Sequence, residues 1–432
     1  MIVCKKNIVN RRGEREQLNV YSSAAECKLT GEPHKIIKRG GKTLGYVGLT
    51  RDLDTLKASS KRVKIKDKVY AERKYLGKNT FYNYMQSKYP SSYKTITKIT
   101  SDMFNEDTSD SESVSNFFAG MSSLESDIQL DTRNCLHFNS VYNSCSNLKK
   151  ASMLNTSNGV SFSFMYAECK ELTEVPLIDT SKGTNFRNMY VGCIKVIEFP
   201  ALNTSSAIDV GGIYGRCHSA KIFPTLNTRN GTTFDYMYSQ CSSATSFPAL
   251  DTRNGTTFNY MYSQCSSATS FPALDTRNGT TFDYMYSQCS SATSFPALDT
   301  RNGTTFDRMY RHCSSATSFP ALDTSNSINC SGMYVFCSKT KAFPQLKTSK
   351  CKDFSNMYNG CFNAVSVSDI DLSSISVEDT TTNKKLNNML LDCNSLPSVT
   401  FNNVPVGITV EQMRTATSAP ETCEIILNYR SE

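Results

Sequence analysis

FPALDTRNGTTFDYMYSQCSSATS, residues 271–294, is one period of a tandem repeat. The copy at 247–270 departs from it only at Asn259, and the copy at 295–318 only at Arg308, Arg311 and His312. The register persists in divergent copies on both sides. Cys145, Cys169, Cys193, Cys217, Cys241, Cys265, Cys289, Cys313, Cys337 and Cys361 stand 24 residues apart without a slip. A fixed period of this size marks stacked units, each needing its neighbours to bury an apolar face. What the divergent copies share is what that fold requires.

Positions are counted here from each cysteine. At −3 stands an aromatic residue, as in Tyr142, Tyr166, Tyr190, Tyr214, Tyr334 and Tyr358. At −4 stands Met or another apolar residue (Met165, Met189, Ile213, Met357), and at −7 usually Phe (Phe138, Phe162, Phe186, Phe234, Phe354). Leu148, Leu172, Val196 and Ala244 occupy +3. This spacing predicts one face of a short helix. Apolar residues then recur at +3, +6 and +9, as in Ala244, Phe247 and Leu250, and Thr occupies +11 in ten successive copies from Thr132 to Thr348. That rhythm reads as a short extended segment turning a corner, and Pro248, Pro272, Pro296 and Pro320 exclude helix there. The following Arg-Asn-Gly-Thr-Thr reads as a turn, with Asn-Gly supplying positive φ. Each unit is therefore expected to be strand, turn and helix. A first copy carries Met121 in place of the cysteine, with Phe117, Phe118 and Leu124 in register. A last copy centres on Cys393, 32 residues after Cys361, so eight extra residues fall near 373–382. About twelve units result, a repeat solenoid over residues 114–400.

The pattern Phe-x-x-Met-Tyr-x-x-Cys-x-x-Leu/Ala-x-x-Phe-Pro-x-Leu-Asp/Asn-Thr resembles the BspA-type leucine-rich repeat, akin to a repeat of bacterial surface lipoproteins. The resemblance covers about residues 114–400. It implies a leucine-rich-repeat-like right-handed stack with a strand face and a helical or 3-10 face, and it implies surface display and adhesion. The opening MIVCKKNIVNRRGE departs from that expectation, because no apolar core follows its basic residues as an export signal needs.

Charge divides the chain. Residues 1–100 hold 23 Lys and Arg against 8 Asp and Glu, whereas the remainder holds 24 against 31. The expected organisation is a basic N-terminal docking domain at 1–100, an acidic Ser-rich linker or cap at 101–113, the solenoid at 114–400 and a C-terminal cap at 401–432. In the cap, Val410–Thr415 reads as helix and Cys423–Tyr429 as strand. Lys61, Arg62, Lys64, Lys66 and Lys68 are the docking candidates, with Lys64 and Lys66 alternating with Val63 and Ile65 as on a half-exposed strand. A solvated face, or a docking module for a virion or scaffold protein, is favoured over nucleic acid, because no nucleic-acid-binding signature accompanies the charge. No run of about 18 apolar residues exists, so no membrane span is expected.

Catalysis finds little footing. The repeated cysteines fall on the apolar stripe and read as buried free thiols. Cys-x-x-Cys spacing is absent, Cys330 with Cys337 is not a zinc pattern, and four histidines (His34, His137, His218, His312) pair with no repeated carboxylate. Gly40-Gly41-Lys42 is too short for a phosphate loop, and Asn-Gly-Thr at Asn230, Asn254, Asn278 and Asn302 reads as turn chemistry. No enzyme, cofactor or metal is expected.

Stacking instead builds surface rows. Position −5 is expected to face outward, and there stand Tyr236, Tyr260, Tyr284 and Arg308, after Phe164, Asn188 and Gly212. A second row is Arg229, Arg253, Arg277 and Arg301, beside Asp251, Asp275, Asp299 and Asp323. These rows are the candidate contacts to a protein or glycan receptor. The reading is a non-enzymatic structural and binding protein. It fits a virion appendage such as a phage fibre, assembled in the host cytoplasm. A bacterial surface adhesin exported by another route, or an intracellular interaction scaffold, is the alternative.

Overall fold

The computed structural model describes six strands between Ile2 and Tyr70, residues 93–99, Thr108, residues 111–382 and residues 384–431. The chain divides into two units, Met1–Lys74 and Tyr75–Glu432. In the first, β1 (Ile2–Val9), β2 (Arg15–Tyr21), β3 (His34–Arg39) and β4 (Lys42–Gly48) form an antiparallel sheet in the order β1-β2-β4-β3. β5 (Val63–Ile65) pairs with β6 (Lys68–Tyr70), setting Lys64 opposite Val69 and Ile65 opposite Lys68. Lys61, Arg62 and Lys66 lie outside the described residues.

The second unit is a stack of 24-residue turns. Parallel bridges link the same position of successive copies from Ser113 through His137, Ser161, Asn185, Asp209, Thr233, Thr257, Thr281 and Thr305 to Asn329. A second bridging position links Lys150 with Glu174, Glu198 with Ile222 and Ala342 with Ser366. The stack reaches into the segment expected as a linker or cap. Thr108 is buried and its hydroxyl donates to the Asp131 carbonyl at 2.8 Å, as Thr132, Thr180, Thr252 and Thr276 do one turn later each.

The expected helix does not form in these copies. In the turn from Phe282, alternate N–H groups leave the turn altogether. Phe282, Tyr284, Tyr286 and Gln288 donate to Thr305, Asp307, Met309 and Arg311 of the next copy, at 3.1, 2.8, 2.9 and 2.6 Å. Between them, Met285, Ser287 and Cys289 donate to the carbonyl three residues back. An α-helix needs every N–H for its own i−4 carbonyl, and half are taken here by the neighbouring copy. Positions −5 and −1 also adopt left-handed backbone, as at Tyr284 (φ 55°) and Gln288 (φ 61°). The result is a chain of tight turns that keeps the i, i+3, i+4 burial rhythm of a helix.

The asparagine–glycine turn is corrected too. Positive φ falls at −5 and −1, not at Gly231, Gly255, Gly279 or Gly303. Those glycines answer to packing: a Cβ on Gly279 would lie 2.5 Å from Cζ of Phe282 and 3.1 Å from Cε2 of Phe258. Where the Phe of the same turn is replaced, by Val210 or Cys330, the glycine position holds Ala207 or Ser327.

Three aromatic columns fill the core. Phe at −7 stacks at 5.4–5.6 Å in Phe234, Phe258, Phe282 and Phe306, and Tyr at −3 stacks at 5.6–5.7 Å from Tyr238 through Tyr310. Phe at +6 leans on both flanking tyrosines, as Phe271 does on Tyr262 and Tyr286 at 5.0 and 4.9 Å. The cysteines lie buried and unpaired among them. In the 24-residue register from Cys169 to Cys361 each thiol donates to the carbonyl of the −3 Tyr one copy back, for example Cys265 to Tyr238 and Cys289 to Tyr262 at 3.1 Å. Burial pushes these thiols up, far from thiolate formation.

The stack ends in a parallel sheet, β7 (Ile370–Asp371), β8 (Ser398–Val404) and β9 (Glu424–Tyr429), in that order. The eight extra residues hold α1 (Val377–Thr381), started by a capping box of Ser376 and Asp379. α2 (Val410–Thr417) carries the chain from β8 to its parallel partner β9, with Thr409 and Gln412 as its capping box.

Candidate binding surface

The row at −5 is held in a costly conformation. Left-handed backbone suits Gly and Asn and penalises larger residues. Most divergent copies obey this, with Asn116, Ser140, Asn188, Gly212, Gly332, Asn356 and Asn388 at the position; Phe164 at φ 56° departs from it. The central copies instead hold Tyr236, Tyr260 and Tyr284 there at φ 58°, 57° and 55°, followed by Arg308 at 49°. Strain of this kind costs about 1–3 kcal/mol per residue, so the side chains must recover it or be retained for another reason.

The row is partly exposed and packs on itself. Tyr236 and Tyr260 stack at 4.6 Å, and Tyr260 and Tyr284 at 4.5 Å, with planes within 9°. Ring faces are therefore turned to one another. Arg308 closes one end. Its guanidinium lies 5.5 Å from the Tyr284 centroid, and Nη1 donates to the Tyr284 hydroxyl at 2.9 Å and to Asp307 at 2.8 Å. At the other end Tyr236 is 45 % exposed, beside Gly212. Partial burial, and then the neighbouring tyrosines, raises the Tyr260 hydroxyl to about 12.

Beside the tyrosines runs a second row, Asp235, Asn259, Asp283 and Asp307, whose role the sequence reading misses. Its side chains take the N–H left over by the turn pattern. Asp235 Oδ1 accepts from the Asn259 N–H, Asn259 Oδ1 from Asp283, and Asp283 Oδ1 from Asp307, at 2.8–2.9 Å. Burial raises the carboxyls of Asp235 and Asp283 above the usual range. The repeated Asp or Asn at −6 is the signal that could have disclosed it. On the far side Gln240, Gln264 and Gln288 line position −1.

The arginine row is differently committed. Arg253, Arg277 and Arg301 fork onto Asp251, Asp275 and Asp299 of their own turn at 2.7–2.8 Å, which lowers the three carboxyls. Asn227 stands where Arg229 would find its aspartate. The amides of Asn254, Asn278 and Asn302 donate to the carbonyls of Arg229, Arg253 and Arg277 at 2.7–2.8 Å, which makes these sequons an asparagine ladder. Among the described residues no helix is long and apolar enough to cross a membrane, and no group of three metal-binding side chains converges.

A family model described as "Mycoplasma protein of unknown function, DUF285" matches the chain repeatedly, over residues 87–203, 200–296, 232–346, 256–370 and 280–395. No curated protein matches it. Among solved structures, a crystal structure of a TLR13–ssRNA13 complex aligns with a TM-score of 0.23 and 11 % identity, over 74 % of this chain and 52 % of that one. The chain thus spans about half the length of that structure's chain, and a likeness this slight carries nothing to its ligand.

Proposed function

The chain belongs to the DUF285 family, and from that premise we propose that it is a non-enzymatic recognition protein built on BspA-type leucine-rich repeats. One observation carries the reading. Three successive tyrosines and an arginine occupy a left-handed backbone position that the divergent copies, Phe164 apart, give to Asn, Gly and Ser, and Tyr236 is 45 % exposed. Strain kept at a surface that a smaller residue would relieve points to recognition. The flanking Asp/Asn and Gln rows supply hydrogen bonds along the same stripe, as a protein or glycan receptor requires. Binding rather than catalysis also suits the cysteines, which are buried and already used as donors.

The finer reading is a virion appendage, with the basic N-terminal unit anchoring it to a virion or scaffold protein and the solenoid meeting a host receptor. The alternative location is the bacterial cell surface, which the resemblance to a repeat of bacterial surface lipoproteins implies. Both readings place the contact on the tyrosine stripe. Changing Tyr236, Tyr260 and Tyr284 together to Ser tests it, with adsorption of labelled protein to a panel of cells and to a printed glycan array. Binding is expected to vanish while the melting temperature holds, since Ser140 already occupies the same position. Undiminished binding refutes the stripe as the contact.

A further inference from the structure

The tyrosine stack does not fade out at its open end; it stops at a step. The copy before Tyr236 carries Gly211-Gly212 where the central copies carry Asp-Tyr or Asn-Tyr. Both glycines are overlaid by side chains from the copy before that. A Cβ on Gly212 would collide with the Asn188 carboxamide, and one on Gly211 would lie 3.2 Å from Nη1 of Arg187. The ends of two polar side chains thus overlie the pair of glycines and form a shelf one repeat wide. The Tyr236 ring stands at its edge, stacked on Tyr260 on one face. Asp209 completes the shelf. Its Oδ1 accepts from the Gly211 N–H at 2.9 Å, and its Oδ2 lies 3.5 Å from Arg187 Nη1, a loose pairing of two half-exposed groups.

Resting on the reading of the stripe as a recognition surface, we propose that this shelf is a sugar subsite. A neutral hexopyranose would stack its C–H face on the free face of Tyr236 and set its hydroxyls against Arg187, Asn188 and Asp209. The chemistry selects this ligand. A pyranose presents an apolar face to an aromatic ring and a rim of hydroxyls that both donate and accept. The shelf offers the matching mixture, with guanidinium and amide N–H as donors and amide and carboxylate oxygens as acceptors. Asp209 and the neighbouring Asp235 disfavour a phosphate-bearing ligand. Among the described residues no ring or cation stacks on Tyr236 at this end, whereas Arg308 covers the other.

The test uses saturation-transfer NMR on the full chain, with the methyl glycosides of glucose, galactose, mannose and N-acetylglucosamine as probes. At least one is expected to receive transfer at its ring protons. Gly212→Tyr pushes aside the Asn188 carboxamide, extends the stack over the Tyr236 face and is expected to weaken that probe at least tenfold. The central copies already hold Tyr at this backbone conformation, and a melting curve checks the fold. Tyr236→Ser, which removes the wall and leaves the shelf, should lose the probe equally. Absence of transfer from all four glycosides overturns the proposal, as does transfer that survives Gly212→Tyr. If the triple serine variant loses its target while either of those results holds, the sugar subsite falls and the stripe reading stands.

Discussion

The tyrosine column at −3 leads to a prediction of unusual sign. From Tyr166 through Tyr334 the rings are fully buried, and their hydroxyls meet no hydrogen-bond partner among the described residues. The local reason lies at +7. That position holds Pro176, Pro200, Pro224, Pro248, Pro272, Pro296, Pro320 and Pro344, none of which has an N–H to offer. A buried hydroxyl left unpaired costs about 1–3 kcal/mol. Tyr262→Phe keeps the ring stacked at 5.6 Å on both sides and removes only that oxygen. Allowing for the small void, it should stabilise the stack by about 1 kcal/mol. Tyr142 supplies the control. Its hydroxyl donates to Asp127, whose carboxylate also accepts from the N–H and hydroxyl of Ser152 at 3.1 and 2.6 Å. Tyr142→Phe should therefore destabilise, by about 1.5–3 kcal/mol for a bond to a charged acceptor. Urea unfolding of both variants beside the parent reads the two signs. Destabilisation by Tyr262→Phe as large as that by Tyr142→Phe would show that the central hydroxyls are partnered, and would refute the reasoning.

Three further outcomes follow from neighbouring contacts. Cys241, Cys265 and Cys289 should react with a thiol reagent only at the rate of unfolding, because burial suppresses the thiolate; labelling within seconds in the native state contradicts their placement. Gly279→Ala should destabilise by about 1–3 kcal/mol through overpacking against Phe282. Adding Phe282→Val, which recreates the Ala207–Val210 pairing, should recover part of that loss in a double-mutant cycle, and strict additivity would exclude the packing account. Asn259→Asp would place a third carboxylate between Asp235 and Asp283 and should cost about 1 kcal/mol at neutral pH. Raised folded pKa values mean that Asp235 and Asp283 favour the native state when protonated. Their contribution is lost as pH rises from below 3.8 through those raised values. The variant's deficit should accordingly grow with pH above about 4 and disappear in acid, where all three carboxyls are neutral; a deficit independent of pH would point to the lost amide bond to Thr281 instead.

The core was legible because burial is periodic and the columns at −7, −4, −3 and 0 repeat it in every copy. Phe258, Met261, Tyr262 and Cys265 lie where that rhythm puts them. What the rhythm does not encode is where the backbone sends its hydrogen bonds. A helix and a run of tight turns bury the same residues, yet in the turns the N–H groups of Phe258, Tyr260, Tyr262 and Gln264 belong to the next copy. The deciding signal sat in the divergent copies. Asn188, Gly212, Gly332 and Asn356 at −5, with Gly192 and Gly360 at −1, are left-handed residues spaced four apart, a pattern no helix tolerates. Reading them as tolerated variation hid the turn. Read as the rule, they make the aromatics, Phe164 and the three stacked tyrosines, the exception, and this gives the candidate site its weight. A position that accepts Gly without strain holds three stacked tyrosines, a cation seals one end of the stack, and two glycines leave the other end open. Packing alone accounts for the sealed end. The open end, where Tyr236 keeps both its strain and its exposure, is the part of the row that folding does not explain.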